Sequence, residues 1–393
     1  MTVTLRIEKN VYGGDGLARL GDGRVAFLSG AWKGELVKAE IVEEKSSFVK
    51  TRLVELLEPS PERISGASEA EIPGCVYANL SLTGENAAKR SQIAEFLSRA
   101  RLWDGEIETS DVVSPLNYRN KAVYHFAKTG EGWAIGYRKE RSHEIVDVAS
   151  DPLAVKEINA RLPEIRQSVK ALLTNGSKAV RQDVERKGTL TVRWSPKSGV
   201  NWWLGEAPQR LRLKEVTLGT SFEVPAGGFY QVNPLVGEEL VKCVAGEVGR
   251  LSPDELYDLY CGVGVFGVCC RPKRLVGVEY LKSAVDVARQ NAERAGVKAE
   301  FFAGAVAKNI SRFRFSPSSA VIVDPPRGGM ERGVAAALAK SGAGKIFYVS
   351  CDPATLTRDL KTLASAYAVE RVKWFNMFAR TARFETLVTL KRK

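Results

Sequence analysis

Two residues in short proline-containing loops stand out because their types could do covalent chemistry. Cys351 lies in Ser-Cys-Asp-Pro and Asp324 in Asp-Pro-Pro-Arg, and each loop follows a strongly apolar run that predicts a buried strand. Proline fixes φ and removes a backbone donor, so both loops should be rigid and non-helical. A thiol held in such a loop at the edge of a sheet can act as a nucleophile, although a small buried residue is the ordinary role of cysteine. We therefore predict that Cys351 is catalytic.

Glu385 begins the last predicted strand, at 384–390. If that strand is antiparallel, its start lies at the same edge as Cys351, where ligands bind in open α/β sheets. A solvated carboxylate at a strand end is the alternative interpretation. One cysteine and one carboxylate base suit methylation of a pyrimidine at C5. The thiolate adds to C6, C5 attacks a sulfonium methyl group, and the base removes the C5 proton.

A glycine-rich turn predicts a cofactor site. Gly262, Gly264 and Gly267 follow an apolar strand and satisfy G-x-G-x-x-G, a weak signal alone that also fits a nicotinamide dehydrogenase. Asp258 would repel a pyrophosphate but can approach the cationic amino-acid part of S-adenosylmethionine; capping the turn is its alternative role. Glu279 ends the next strand and can bind ribose hydroxyls of either cofactor.

Three regions are predicted to position these residues. Helices and strands alternate from about 232 onward, which indicates a doubly wound, mostly parallel α/β sheet and a catalytic domain at 226–393. Short strands separated by glycine turns make 1–58 typical of a small OB-like β-barrel. Mixed strand and helix signals predict a central α+β domain at 59–225, including a helix near 84–103.

Composition narrows the class of protein. The chain has 393 residues and a formal net charge of +12, which favours a polyanionic partner such as nucleic acid. No apolar signal-peptide region follows the N-terminus and no apolar run reaches the roughly 18 residues of a membrane span. We therefore expect a cytoplasmic protein that does not contact membranes. Six scattered cysteines without a C-x-x-C pair, and only two histidines, argue against disulfide frameworks, zinc ribbons and histidine-based metal sites.

These motifs together resemble the RNA 5-methyluridine methyltransferase family over nearly the whole chain. The segments that carry the resemblance are 1–58, which is similar to a TRAM domain, 118–121, Phe-Tyr-Gln-Val-Asn-Pro at 229–234, 258–266, 324–327, 350–356 and Phe-Glu-Thr at 384–386. The resemblance implies a Rossmann-like class I methyltransferase domain and a helix near 84–103 that docks on it.

The resemblance also implies roles for individual residues. Cys351 would be the nucleophile, Glu385 the general base, and Asp324 would help to hold the target base. The implied cofactor is S-adenosyl-L-methionine. Its expected binding residues are Gln231, Asp258, Tyr260, Gly262, Gly264, Phe266, Glu279 and Asp324.

The chain departs from the family at a cysteine cluster. Many members with a TRAM domain hold a [4Fe–4S] cluster on four cysteines, but here only Cys75 remains of the expected C-x-x-C pair, and Asp151 stands where the fourth ligand would be. A cluster needs about four thiolates, so we expect no iron–sulfur cluster and no metal. Further departures near the general base are Asn376, Ala379 and Arg383.

The expected substrate is one uridine in structured RNA, flipped into the site by a monomeric enzyme. We favour 23S ribosomal RNA because family members that act on transfer RNA commonly lack the TRAM-like region; a transfer RNA T-loop uridine is the first alternative. An RNA 5-methylcytosine methyltransferase would resemble Asp-Pro-Pro-Cys where Arg327 stands. A dehydrogenase would not require Cys351 together with Glu385. A non-catalytic RNA-binding or RNA-folding protein on the same scaffold is the non-enzyme alternative.

Overall fold

The first six strands form one sheet in the computed structural model, which describes residues 1–130, 132–139 and 142–393. Apolar side chains that alternate along each strand are buried on one face, Val37 and Ala39 among them. The strand order is β1-β5-β6-β4-β3-β2, so the predicted barrel is a half-barrel with β1 and β2 at its edges. The strands are β1 (Thr2–Arg6), β2 (Lys9–Asn10), β3 (Gly16–Arg19), β4 (Val25–Leu28), β5 (Leu36–Glu44) and β6 (Phe48–Glu58).

The central region contains a five-stranded antiparallel sheet, β10-β9-β8-β11-β12, and a hairpin, β13-β14. Helix α2 covers that sheet with buried residues at helical spacing, including Ile158, Leu162, Ile165 and Val169. The elements are α1 (Leu82–Arg99), β7 (Glu108–Thr109), β8 (Lys121–Thr129), β9 (Gly132–Arg138), β10 (Ile145–Asp147), α2 (Lys156–Asn175), α3 (Lys178–Lys187), β11 (Thr189–Ser195), β12 (Gly199–Leu204), β13 (Arg212–Thr217) and β14 (Thr220–Pro225).

The C-terminal region is a doubly wound α/β unit, as predicted. Its sheet has the order β17-β16-β15-β18-β19-β21-β20-β7, in which β15 to β19 are parallel and β21 is antiparallel to β19. The elements are α4 (Pro234–Leu251), β15 (Glu255–Leu259), α5 (Val265–Cys270), β16 (Leu275–Glu279), α6 (Lys282–Arg294), β17 (Ala299–Ala303), α7 (Val306–Asn309), β18 (Ser319–Val323), α8 (Val334–Ser341), β19 (Lys345–Ser350), α9 (Pro353–Leu363), β20 (Tyr367–Phe375) and β21 (Glu385–Arg392).

Helix α1 packs on the C-terminal sheet although the central region separates them in sequence. Its Ile93 and Leu97 share an apolar core with Trp374. Its Lys89 is fully buried and donates hydrogen bonds to Glu85 at 2.7 Å, to the Asn376 side chain at 2.9 Å and to the Phe378 carbonyl at 3.2 Å. Helix α1 starts and ends earlier in the chain than the predicted range of 84–103.

The predicted domain boundaries, between residues 58 and 59 and between residues 225 and 226, coincide with the ends of β6 and β14. These boundaries stay predictions.

No helix in the part of the chain that the structure describes is both long and apolar enough to cross a membrane.

The buried ion pair of α1 yields a stability prediction. Lys89→Ala leaves the buried Glu85 carboxylate with Arg380, at 3.4 Å, as its remaining cationic partner, and removing one side of a buried ion pair costs about 3–5 kcal/mol. The Lys282–Asp286 pair has the same i,i+4 spacing but lies on the surface, so Lys282→Ala should cost about 0.5 kcal/mol or less. Urea unfolding of both variants measures the difference. Equal costs would mean that the Lys89 contacts do not fasten α1 to the sheet.

Candidate active site

Strand pairing brings the predicted catalytic residues to one edge of the C-terminal sheet. In β15 and β18, Leu259 pairs with Val323, so that Tyr260 and Asp324 follow side by side. In β19 and β21, Ser350 pairs with Thr386. Cys351 therefore leaves the sheet where Glu385 enters it, because the last strand runs antiparallel. The conditional prediction for the orientation of this strand is correct.

The Cys351 loop is held by its neighbours. The Ser350 hydroxyl accepts a hydrogen bond from the Asp352 amide at 3.2 Å, and the Asp352 carboxylate caps α9 by accepting from the amides of Ala354 and Thr355 at 3.1 and 3.0 Å. Pro353 follows at the first helical position, where its missing donor costs nothing. The thiol is thus fixed one residue before the cap of a helix and remains partly exposed.

The thiol is protonated in the ligand-free protein. Burial raises the pKa of Cys351 to about 12, and the Glu385 and Asp324 carboxyls raise it as well, while the guanidinium groups of Arg327 and Arg383 lower it. A thiol is a weak nucleophile compared with its thiolate. The arrangement therefore depends on the arrival of substrate and cofactor to favour the charged form.

Two acidic side chains beside the thiol have strongly raised pKa values. Burial, with a contribution from Asp324, raises the pKa of Glu385 well above its usual range. Burial, with a contribution from Asp258, raises the pKa of Asp324 to about 7. Among the described residues the Glu385 Oε2 atom has no hydrogen-bond partner. Buried carboxyls with raised pKa are typical of groups that accept or hold protons during catalysis.

A cleft beside these residues lies between the start of α4 and the glycine turn. Of the residues expected to bind the cofactor, those that line it are Gln231, Tyr260, Gly262, Phe266 and Asp324. Asp324 thus faces both this cleft and Cys351. The cleft is lined further by Phe229, Tyr230 and Glu238, which the sequence analysis did not single out as binding residues. No short motif marks Glu238, because its position depends on how α4 packs.

The glycine turn needs left-handed backbone conformations. Gly262 and Gly264 have φ of 55° and 87°, and Tyr260 has φ of 67°, which is strained for a residue with a Cβ atom. The Tyr260 hydroxyl is held by the backbone amide of Glu331, which donates to it at 3.1 Å. Glu279 braces the turn by accepting from the Gly262 amide at 3.1 Å.

Asp258, Gly264 and Glu279 shape the turn and are not among the residues that line the cleft. Asp258 is buried beneath the loop, where its Oδ2 atom accepts from the Gly267 amide at 2.9 Å. The capping role that the sequence left open for Asp258 is therefore present. Its Oδ1 atom has no partner within the described residues. A direct contact between Asp258 and the cofactor stays a prediction.

The acidic surroundings of the cleft fit a cationic cofactor. Burial raises the pKa of Asp258 to about 7, and Glu279 raises it further, so that neighbouring carboxyls oppose one another's ionisation. A sulfonium or ammonium group would relieve this repulsion, whereas a pyrophosphate would increase it. The residues present therefore fit S-adenosyl-L-methionine better than a dinucleotide.

The surroundings of Cys75 do not fit an iron–sulfur cluster. Burial raises the pKa of Cys75 to about 12, so its thiol is protonated. The Asp151 carboxylate, which raises that pKa slightly, accepts hydrogen bonds from the hydroxyls of Tyr137 at 2.7 Å and Tyr124 at 3.3 Å. Across residues 1–130, 132–139 and 142–393, no group of three or more His, Cys, Asp or Glu side chains could hold a metal ion. A hydrogen-bonded polar cluster takes the place of the expected ligands.

Two contacts from other regions reach the site. The side chain of Asn120, in the 118–121 segment, donates to the Gln231 carbonyl at 3.1 Å. The Tyr12 hydroxyl, from the half-barrel, donates to the Asp352 carboxylate at 3.2 Å. Tyr12 was not predicted from the sequence, since a single tyrosine 340 positions from its partner carries no local signal.

Comparison with known proteins agrees with this site. A family model described as tRNA (Uracil-5-)-methyltransferase matches residues 209–393. An uncharacterized RNA methyltransferase of Clostridium acetobutylicum is 28% identical over 96% of this chain and 94% of its own length. The 23S rRNA (uracil(1939)-C(5))-methyltransferase RlmD of Vibrio campbellii is 26% identical over 99% of this chain and 95% of its own length.

One solved structure matches from end to end. The tRNA (uracil-54, C5)-methyltransferase of Pyrococcus abyssi, in complex with S-adenosyl-L-homocysteine, superposes with a TM-score of 0.75 over 99% of this chain and 100% of that chain, at 21% identity. This likeness shows that the half-barrel, the central region and the α/β unit form a shared fold. Because the family model covers the region that carries Cys351 and Glu385, and full-length relatives cover the rest, the chain belongs to the family of S-adenosyl-L-methionine-dependent RNA (uracil-C5)-methyltransferases.

Proposed function

We propose that this enzyme methylates C5 of one uridine in 23S ribosomal RNA through a covalent bond between Cys351 and C6 of the base. The observation that carries the proposal is the convergence of Cys351, Glu385 and Asp324 at one sheet edge, beside a cleft suited to a cationic cofactor. The roles of these three residues rest on the strand pairing and the charges at that edge.

Cys351 begins the reaction. The partly exposed thiol first loses its proton to solvent. The thiolate sulfur then bonds to C6, the C5–C6 π bond breaks, and its electron pair moves toward C5 and O4. Arg327 and Arg383 lower the pKa of the thiol and so favour the thiolate that this step needs. With a pKa of about 7, Asp324 is partly protonated at neutral pH. It can donate a hydrogen bond to the developing negative charge on O4 or accept one from N3.

Glu385 completes the reaction. S-adenosyl-L-methionine, when bound, supplies the electrophilic methyl group that C5 attacks. Glu385 then takes the remaining C5 proton, the electron pair re-forms the C5–C6 double bond, and the Cys351 thiolate leaves. The carboxyl group must lose its own proton to solvent before this step, because its pKa is raised. Once ionised, the buried Glu385 is a stronger base than an exposed glutamate, and its Oε2 atom is free of other hydrogen bonds within the described residues.

The choice of RNA rests on the relatives. Two named relatives that cover nearly the whole chain are 23S rRNA enzymes. The tRNA enzyme of Pyrococcus abyssi, however, covers the half-barrel as well. The half-barrel therefore does not by itself separate the two substrates, and the preference for 23S ribosomal RNA stays a proposal. Because the tRNA enzyme matches the whole chain, a uridine in the transfer RNA T-loop is the second candidate substrate.

Methyl transfer to total RNA from a strain that lacks this protein tests the substrate. With tritiated S-adenosyl-L-methionine, label should appear as 5-methyluridine at one position of 23S ribosomal RNA. Label in the transfer RNA T-loop would favour the second candidate, and label in 5-methylcytidine would contradict uridine chemistry. Omitting the enzyme gives the background.

Two substitutions test the catalytic roles. Cys351→Ala removes the nucleophile and should lower methyl transfer by on the order of 10⁴-fold. Glu385→Gln keeps the nucleophile but removes the base, so the covalent enzyme–RNA complex should accumulate on unmodified RNA and appear as a slow band on a denaturing gel. Cys243→Ala is the matched control, because it removes a thiol from α4 and not from the Cys351 loop. The Cys243 sulfur accepts a hydrogen bond from Lys373. Normal turnover by Glu385→Gln would contradict its role as the base.

The raised pKa of Glu385 also predicts how the free energy of unfolding varies with pH. Its folded-state pKa is raised, so its favourable contribution is complete below the usual pKa of a glutamate and is lost as the pH rises toward the folded-state value. Glu385→Gln removes this loss. The free energy of unfolding of Glu385→Gln relative to the wild type should therefore increase from about pH 5 to about pH 8.

Urea unfolding at both pH values, without cofactor, measures this difference. The variant Glu206→Gln, which changes an exposed glutamate, should follow the wild type at each pH. A difference between Glu385→Gln and the wild type that stays constant with pH would show that Glu385 is not held protonated by the fold.

A further inference from the structure

Tyr12 lies in the turn between β2 and β3 of the half-barrel, and its side chain reaches the catalytic loops. Its hydroxyl donates to Asp352 Oδ2 at 3.2 Å and accepts from Arg383 Nη1 at 2.8 Å. Arg383 and Asp352 also form an ion pair at 3.3 Å. One hydroxyl thus connects an anion and a cation that belong to different loops of the α/β unit.

Both partners stand next to residues of the proposed chemistry. Asp352 follows Cys351 and caps α9 with its other carboxylate oxygen, through the amide of Ala354 at 3.1 Å. Arg383 precedes Glu385 by two residues. A movement of either partner would therefore move the thiol or the carboxyl group.

The ring of Tyr12 is fixed as well as its hydroxyl. It makes edge-to-face contacts with Phe96 of α1 at 6.0 Å and with Phe384 at 5.8 Å between ring centroids. The guanidinium of Arg383 lies 5.8 Å from the ring centroid, within reach of a cation–π attraction. Burial and the Asp352 charge raise the pKa of Tyr12 to about 12, so the hydroxyl keeps its proton and stays a donor.

We propose that Tyr12 is a positioning residue that sets the separation of Cys351 and Glu385 by holding Asp352 and Arg383. The half-barrel then contributes to the chemical step. This inference rests on the proposed function of Cys351 and Glu385. If Tyr12 instead contacted RNA, its loss would affect the binding of RNA but not the rate of methyl transfer in the bound complex.

The variant Tyr12→Phe separates these roles because it removes the hydroxyl and keeps the ring contacts. Losing a hydrogen bond to charged groups should lower kcat, and the rate of covalent trapping by 5-fluorouridine RNA, by about tenfold. The KM for RNA should stay within about twofold of the wild type. The matched control is Tyr367→Phe, which removes a buried hydroxyl that donates to Ala343 at 2.8 Å in the same sheet unit.

A double-mutant cycle tests the route of the effect. If Tyr12 acts through Asp352, then Tyr12→Phe should reduce kcat much less in an Asp352→Asn background than alone. Unchanged kcat and trapping rate in a folded Tyr12→Phe enzyme, or an effect on KM alone, would overturn the proposal. Thermal unfolding of each variant checks folding. Absence of trapping by the wild type would instead contradict the proposed function itself.

Discussion

The antiparallel pairing of β21 with β19 is the constraint on which the rest of the site depends. Parallel strands bring only their carboxyl ends to the ligand edge, so a residue at the start of a strand reaches that edge only if the strand is reversed. The pairing of Ser350 with Thr386 provides this reversal and places Glu385 beside Cys351. The proposed nucleophile and the proposed base thus come from two loops that approach the edge from opposite directions.

Burial then determines the protonation of that site. Burial is the first cause of the raised pKa of Cys351, Glu385 and Asp324, and a neighbouring carboxyl group raises each of them further. Such a site is unfavourable for the folded protein at neutral pH, since charged carboxylates lose their hydration without gaining full hydrogen bonding. A bound cationic cofactor and a target nucleobase that carries developing charge would offset that cost. In the proposed mechanism, the same burial that destabilises the free protein would favour catalysis in the complex.

The three regions of the chain are tied together through polar contacts as well as apolar packing. Lys89 on α1 is buried against Asn376 and Phe378 of the C-terminal unit. Asn120 supports the Gln231 segment from the central region. Tyr12 reaches Asp352 from the half-barrel. Each of these contacts fastens a segment next to the cofactor cleft or the catalytic loops, so the accessory regions bear on the geometry of the site.

The sequence by itself determined the alternation of helices and strands in the C-terminal region and indicated the proposed chemistry. Apolar runs and helical periodicity predicted the alternation of strands and helices after about 232, because local burial patterns repeat with the period of the structure. Short motifs identified Cys351, Asp324 and Glu385 as candidates. Only the tertiary structure decided that Asp258 lies beneath its loop, that residues 1–58 form a half-barrel, and that Tyr12 meets Asp352 and Arg383. These features depend on contacts between distant segments, whose geometry no local pattern of residue types encodes.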